Sequence, residues 1–300
     1  MAAPQTPRTC MPDIDAPLEG RLATIADDVA VRVRDAAGPG AIGVAYSGGV
    51  DSSVLAALVA RAVGRARTLL LLACSPSLAA RERRLAARQA GALGLRLEEV
   101  QTRELEDPHY AANPVDRCWY CRDELFTRID RDALGLTLVA YGENADDQRR
   151  PDRPGARAAT EHHVARPLAD AGATKADVRA IARALGLPSA DKPAAPCLAS
   201  RIPHGEPVTA EKLAQVDAAE DAVLAAGFTD CRVRHHGTLA RIEVPADELP
   251  RLADAHLRRT LVDEVRTAGF RHVTVDLAGL TSGAFTRQAL GLPAMPGGAA

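Results

Sequence analysis

Aromatic residues make up only 3% of the 300-residue chain, so a stacking platform for single-stranded nucleic acid would have to be built from very few side chains. Charge of one sign is lacking too. Lys+Arg 37 against Asp+Glu 39 leaves −2, and no bulk basic field is available to hold a long nucleic acid or an acidic membrane surface. No oily stretch is longer than Thr68–Cys74, which is too short to span a bilayer, and the N-terminus has no apolar core of signal-peptide length. A cytoplasmic protein without membrane attachment is expected, with nucleic acid disfavoured as a partner. Six cysteines are too sparse for a disulfide scaffold, and in a reducing compartment a CxxC reads as a metal or redox feature. Lysine occurs only at 175, 192 and 212, a scarcity that makes each of the three conspicuous among the arginines.

What is present is ordinary for a globular chain: 47% hydrophobic and 25% charged residues, enough for one large α/β domain and a smaller one. Residues 1–17 carry prolines and no period and read as a loose tail. Leu22, Ile25, Val29 and Val33 have helical spacing that ends at Gly38-Pro39-Gly40. AIGVAY, SGGVDSS and VLAALVARAV then give strand, glycine turn and helix. TLLLLAC (68–74) is the continuous apolar run of a strand covered on both faces. A helix over 78–93, a strand over 95–102, a helix near 122–131 and a strand over 136–142 continue the alternation. The spacing predicts a doubly wound, mainly parallel α/β sheet over 18–205. Thr174 to Asp177 form a capping-box pattern. Beyond about 205 the order α-β-β-α-β, with strands either side of His236-Gly237, predicts a small α+β domain with an antiparallel sheet over 206–285. Residues 286–300 should be frayed.

The most specific signal is Ser47-Gly48-Gly49-Val50-Asp51-Ser52-Ser53 between a buried strand and a helix. Glycines let backbone N–H groups turn toward a ligand, and the helix N-terminus adds about half a positive charge. An anionic phosphate fits there. The hydroxyls of Ser47, Ser52 and Ser53 can add donors, and Asp51 can meet the magnesium that accompanies a nucleotide. Cys118 and Cys121 are three residues apart, a chelating spacing on a turn, and Cys197 lies in a Pro- and Ala-rich loop. Both segments fall at the carboxyl edge of a parallel sheet, where ligands bind in such folds. Three thiolates suit a four-iron cluster with one iron open; zinc would need His162, His163 or His204 as well; no metal at all is the third option. Cys10, Cys74 and Cys231 read as packing.

SGGVDS in this setting resembles the PP-loop ATP pyrophosphatases, the adenine nucleotide alpha hydrolase-like fold. NPVDRCWYC, GENADD (142–147), RPGARAA (153–159), KPAAPCLASRIPHG (192–205) and RVRHHGTLARIEV (232–244), in that order, resemble the ATP-dependent sacrificial sulfur transferase family, LarE. The resemblance implies adenylation of a carboxylate of pyridinium-3,5-biscarboxylic acid mononucleotide and its conversion to a thiocarboxylate, a step toward the nickel-pincer nucleotide. It implies that Ser47, Gly48, Gly49, Asp51, Ser52 and Ser53 hold the pyrophosphate end of ATP with Mg2+ near Asp51. Cys197 matches the sulfur-bearing cysteine. With Cys118 and Cys121 present, the version with a 4Fe-4S cluster on Cys118, Cys121 and Cys197 is favoured over sacrifice of Cys197.

Arg232 and Arg234 share one face of a strand, a geometry that can clamp a phosphate or carboxylate, and Arg201 follows Cys197 closely enough to contact the same ligand. The resemblance adds Glu220 and Glu243 as metal or substrate contacts. It leaves the parts played by Trp119, Glu143 and Lys175 open. A homo-oligomer is expected, with the carboxyl-terminal domain as the interface. A PP-loop tRNA thiolation enzyme and a non-catalytic nucleotide sensor remain as alternatives.

Overall fold

The computed structural model describes residues 12–147 and 155–281 together with Phe285, Ala289 and Gly291. Helix α1 (Gly20–Ala37) buries Ile25, Val29 and Val33, the stripe its spacing predicts, and stops at Gly38. Strand β1 (Ala41–Ala45) runs through the glycine turn into α2 (Val50–Val63), where Ser52 through Ala60 are all buried. Then come β2 (Thr68–Cys74), α3 (Ala80–Leu93), β3 (Arg96–Gln101), α4 (Pro108–Ala111), α5 (Arg117–Arg128), β4 (Leu136–Tyr141), α6 (Gly155–Glu161), α7 (Pro167–Asp170) and α8 (Lys175–Ala184).

The four strands pair in parallel in the order β3-β2-β1-β4. Ile42, Val44, Leu70, Leu72 and Ala140 point to a core shared with α1, α2, α3 and α8. Leu69, Leu71, Val139 and Tyr141 point the other way, onto Phe126 of α5 and Ala158 of α6. Covered on both faces, β2 needs no polar alternation. Each fully buried Leu, Ile or Val is worth about 1.5–3 kcal/mol against exposure. The doubly wound parallel sheet expected from the sequence is the observed fold. Thr174 caps α8 by accepting from the Asp177 N–H, and the Asp177 carboxylate accepts in return from the Thr174 N–H at 3.0 Å.

A second, smaller sheet follows α9 (Ala210–Ala225) and comprises β5 (Arg232–His236), β6 (Leu239–Glu243) and β7 (His272–Val275), the last reached through α10 (Ala255–Thr267). β5 and β6 are antiparallel, but β7 joins β6 in parallel, so the sheet is mixed rather than antiparallel as expected. The intervening α10 returns the chain to the edge from which β6 began, as a parallel crossover requires. The helical stretch between β6 and β7 is divided, because Pro250 stays in a 3-10 segment and Asp254 starts α10 afresh by accepting from the Leu257 N–H at 2.7 Å.

The core under this sheet reaches upstream to Ala79, Tyr110, Leu198, Ala199 and Ile202, so the segment around Cys197 is anchored by the carboxyl-terminal unit. The amino-terminal stretch is not loose throughout. Ile14 is 1% exposed in the first core, and the Asp13 N–H donates to the Leu185 carbonyl at 3.0 Å. Cys10 and residues 292–300 lie outside the described residues. No helix among the described residues is long and apolar enough to cross a membrane.

Burial holds the imidazoles of His204, His235 and His236 below their ordinary range. A histidine whose folded pKa lies below its unfolded value of about 6.5 leaves stability untouched above that pH and withdraws it below, because the unfolded chain takes the proton first. The melting temperature is therefore expected to be level from about pH 8 to 7 and to fall from about pH 6.5 downward. A level profile down to about pH 5.5 would contradict this.

Candidate functional site

The turn between β1 and α2 is shaped by its own serines. The Ser47 N–H donates to Ser52 Oγ at 3.2 Å, Ser52 Oγ donates to the Gly49 carbonyl at 3.1 Å, and Ser53 Oγ donates to the Tyr46 hydroxyl at 3.4 Å. Gly48 has φ +68, and a Cβ there would stand 3.0 Å from Gln89 Oε1. The open N–H groups of the first turn of α2 and its dipole face the loop. Gly142, after β4, abuts the same turn so closely that a Cβ would lie 2.8 Å from the Asp51 carbonyl carbon and the Ser52 nitrogen.

Two of the three lysines converge on this loop from separate segments. Lys175 Nζ donates to Asp51 Oδ2 at 2.6 Å, and Asn144 Nδ2 donates to Asp51 Oδ1 at 3.1 Å. Lys192 Nζ donates to the Gly48 carbonyl at 3.2 Å and to Glu82 Oε2 at 2.6 Å. An anion-binding turn, a carboxylate at its edge and two ammonium groups are the donor set a nucleotide triphosphate with magnesium requires. Glu143 is buried, with Arg166 Nη1 3.5 Å from its Oε2.

Cys118 and Cys121 lie near the start of α5, as its second and fifth residues, not on a turn between elements as their spacing suggests. They still share one helix face. Asn113, fully buried at φ +58, holds the preceding bend: its Nδ2 donates to the carbonyls of Ile202, Pro203 and Glu206 at 3.3, 2.7 and 3.1 Å. Arg117, 4% exposed, donates to Asn113 Oδ1 and to the Ala199 carbonyl at 3.1 Å. The CxxC helix is thus fastened to the 3-10 turn Leu198–Arg201 that Cys197 precedes. Burial, then Glu104, Cys197 and Cys118, push the Cys121 thiol well up. Burial opposes the charge on Arg117, but Cys197 and Cys118 lead the neighbours that keep its proton on. The three thiols therefore share one electrostatic neighbourhood around a buried cation. Their chemistry suits an iron cluster, yet among the described residues no three His, Cys, Asp or Glu side chains stand disposed to hold a metal ion. Of the histidines weighed for zinc, His162 Nε2 is 2.7 Å from Asp123 Oδ1 and His204 Nδ1 is 3.2 Å from the Asn113 carbonyl.

The three arginines expected near substrate are all buried and all hold the Cys197 segment by its carbonyls. Arg201 donates to Pro196 O at 2.7 Å and Cys197 O at 3.2 Å, Arg232 to Ala194 O at 2.6 Å, and Arg234 to Ser200 O at 3.1 Å. Residues 193–197 themselves are exposed. Glu220 and Glu243 are fully buried and engaged. Arg201 grips Glu220 at 2.7 and 3.1 Å, while Arg81 and the Val233 N–H at 3.0 Å also reach Glu220. Arg234 grips Glu243 at 3.0 and 2.7 Å. Alternation correctly puts Arg232 and Arg234 on one face, but this face is roofed by the Cys197 segment, which local spacing does not reveal. Trp119 donates to Glu161 Oε2 at 3.0 Å and has the Arg157 guanidinium 4.7 Å over its ring, so it packs toward α6. Residues 153 and 154 of that α6 motif lie outside the described residues. Asn113, Arg117, Asn144 and Lys192 fall within the motifs NPVDRCWYC, GENADD and KPAAPCLASRIPHG, but nothing local says what they hold, and Glu82 carries no mark at all; for Lys192 the scarcity of lysine is a second signal.

The profile of the asparagine synthase family matches residues 24–144, the stretch holding β1 to β4 and the phosphate turn. The chain is 42% identical over 246 residues to an uncharacterized protein of Synechocystis sp., covering 81% of this chain and 91% of that one. It is 33% identical over 243 residues to the pyridinium-3,5-bisthiocarboxylic acid mononucleotide synthase of Lactiplantibacillus plantarum, covering 80% and 87%. An uncharacterized protein of Methanocaldococcus jannaschii is 26% identical over 236 residues, covering 78% and 88%. Sequence likeness along four-fifths of the chain thus agrees with a parallel sheet that ends in a phosphate turn, and the chain belongs to LarE, the ATP-dependent sacrificial sulfur transferase family of the PP-loop ATP pyrophosphatases.

Proposed function

We propose that this protein adenylates a carboxylate of pyridinium-3,5-biscarboxylic acid mononucleotide with ATP and converts it to a thiocarboxylate. A carboxylate oxygen is a poor leaving group, so its attack on the α-phosphorus, with pyrophosphate departing, makes an acyl-adenylate from which AMP leaves readily when sulfur attacks the carbonyl carbon. Ser47 to Ser53 would receive the pyrophosphate through backbone N–H groups, with Lys175 and Lys192 as cations. Magnesium at Asp51 would neutralise the phosphate oxygens. Cys197 stands exposed on the neighbouring segment as the sulfur-bearing group. A four-iron cluster would take Cys118, Cys121 and Cys197 as its ligands and would supply an open iron, which requires the three thiols to close up from where they stand. The carboxyl-terminal unit, residues 206–285, would carry the interface of a homo-oligomer, and the thiols suit a reducing cytoplasm.

The observation that carries this assignment is the tethering of the Cys197 segment on two sides: to the phosphate turn by Lys192, and to the CxxC helix by Arg117. The test is pyrophosphate release from ATP by anaerobically purified protein. Release is expected only when the pyridinium dicarboxylate mononucleotide is added, with bound iron and sulfide that are lost in Cys118→Ala, Cys121→Ala and Cys197→Ala. Release driven by tRNA instead would favour tRNA thiolation, and binding without release a sensor. Iron-free active protein that converts Cys197 to dehydroalanine would favour sacrifice.

A further inference from the structure

We propose that Lys192 is a phosphate-responsive tether, a positioning residue that passes occupancy of the 47–53 turn to Cys197. This inference rests on the nucleotide site proposed above. Lys192 is the point at which the cysteine-bearing segment touches the phosphate turn: its ammonium lies between the Gly48 carbonyl at 3.2 Å and the Glu82 carboxylate at 2.6 Å, and its side chain is 12% exposed. Glu82 projects from the first turn of α3, so it is fixed to the sheet and cannot follow the segment. The arrangement is a shared cation. Without nucleotide, one carboxylate and one carbonyl hold the ammonium; a triphosphate brings several negative charges to the same turn and competes for it.

Movement of the ammonium has a route to Cys197. Residues 193–197 are exposed, and Pro193 and Pro196 lock two of the five φ angles, which makes the stretch a stiff arm. The arginines that support the arm, Arg232 at Ala194 O and Arg201 at Pro196 O and Cys197 O, reach it at its carbonyl oxygens. Lys192 holds the near end by its side chain, and its backbone N–H donates to Ser189 O at 3.2 Å, which provides the pivot. Lys175 differs in kind. It opens α8 rather than the cysteine-bearing segment, so exchanging its partner Asp51 for a phosphate moves nothing on the sulfur side.

The experiment uses the full chain, α,β-methylene-ATP with magnesium, and two readouts: calorimetric affinity, and the iodoacetamide alkylation rate of Cys197 followed by peptide mass spectrometry. In wild type, saturating analogue is expected to change the alkylation rate severalfold. Lys192→Met is expected to bind the analogue about tenfold more weakly or worse, as for loss of a charge-assisted hydrogen bond. At saturation it should show the same Cys197 rate with and without the analogue. Lys192→Arg, which keeps the charge, should restore part of both effects. Glu82→Gln should bind the analogue more tightly than wild type, the opposite sign, because the competing carboxylate is gone. A merely structural lysine would not yield that split. Wild-type affinity in Lys192→Met, an intact nucleotide effect on Cys197 in that variant, or weakened binding in Glu82→Gln would each overturn the tether. Wild type that fails to bind the analogue would instead overturn the nucleotide site, and the tether with it.

Discussion

Cys197→Ser is expected to abolish thiocarboxylate formation while leaving pyrophosphate release that depends on the carboxylate substrate close to the wild-type rate. The two half-reactions draw on different parts of the fold. In the proposed reaction adenylation draws on the serine-shaped turn, the first N–H groups of α2, Asp51 and the two lysines, none of which is bonded to the Cys197 side chain. The proposed sulfur delivery needs the thiolate of Cys197. A serine hydroxyl is nearly the same size but neither ionises near neutral pH nor binds iron. The backbone of the segment should be undisturbed, because Arg201 contacts residue 197 through its carbonyl oxygen at 3.2 Å. Product analysis beside a pyrophosphate assay separates the outcomes. Continued thiolation would assign the sulfur to another group, and loss of pyrophosphate release would place Cys197 in the first step.

Glu220→Gln is expected to destabilise the protein by about 3–5 kcal/mol, the usual cost of removing one partner from a buried charge pair. Glu220 is fully buried and joins three parts of the chain: Arg201 after the cysteine, Arg81 at the start of α3, and the Val233 N–H of β5. Burial alone would raise its pKa, yet Arg201 and then Arg81 hold the carboxyl below its ordinary range. A neutral amide cannot balance two guanidinium groups, of which Arg201 is 1% exposed. Urea unfolding of wild type and variant measures the loss. A difference below about 1 kcal/mol would mean that solvent or other carboxylates already satisfy the arginines, and Glu220 would then not be the clasp that joins these three parts of the chain.

How much of this is legible in the residues follows from how far apart the partners are. β2 and the strand-turn-helix around Ser47 can be read because continuous apolar burial and a glycine turn are local properties. The capping box of α8 is legible for the same reason. The clasp is not. Glu220 meets Arg201 across 19 positions and Arg81 across 139, and Asn113 reaches carbonyls some 90 residues away. Side-chain pairing over such separations leaves no period in the sequence. Arg232 and Arg234 show the limit well: their shared face is predictable, but the segment that covers it is not. The CxxC is found by spacing, whereas its place on a helix depends on Arg117 and Asn113 pulling distant loops around the start of α5.

Gly142 sets a boundary on how the nucleotide pocket can adapt. With hydrogen alone filling the gap between the end of β4 and the Asp51–Ser52 peptide, that flank has no slack and travels with the sheet as a solid wall. Beside the turn, Lys192 at the foot of the Pro193 arm meets Glu82 of α3 through opposite charges, a contact that can part without unpacking the sheet.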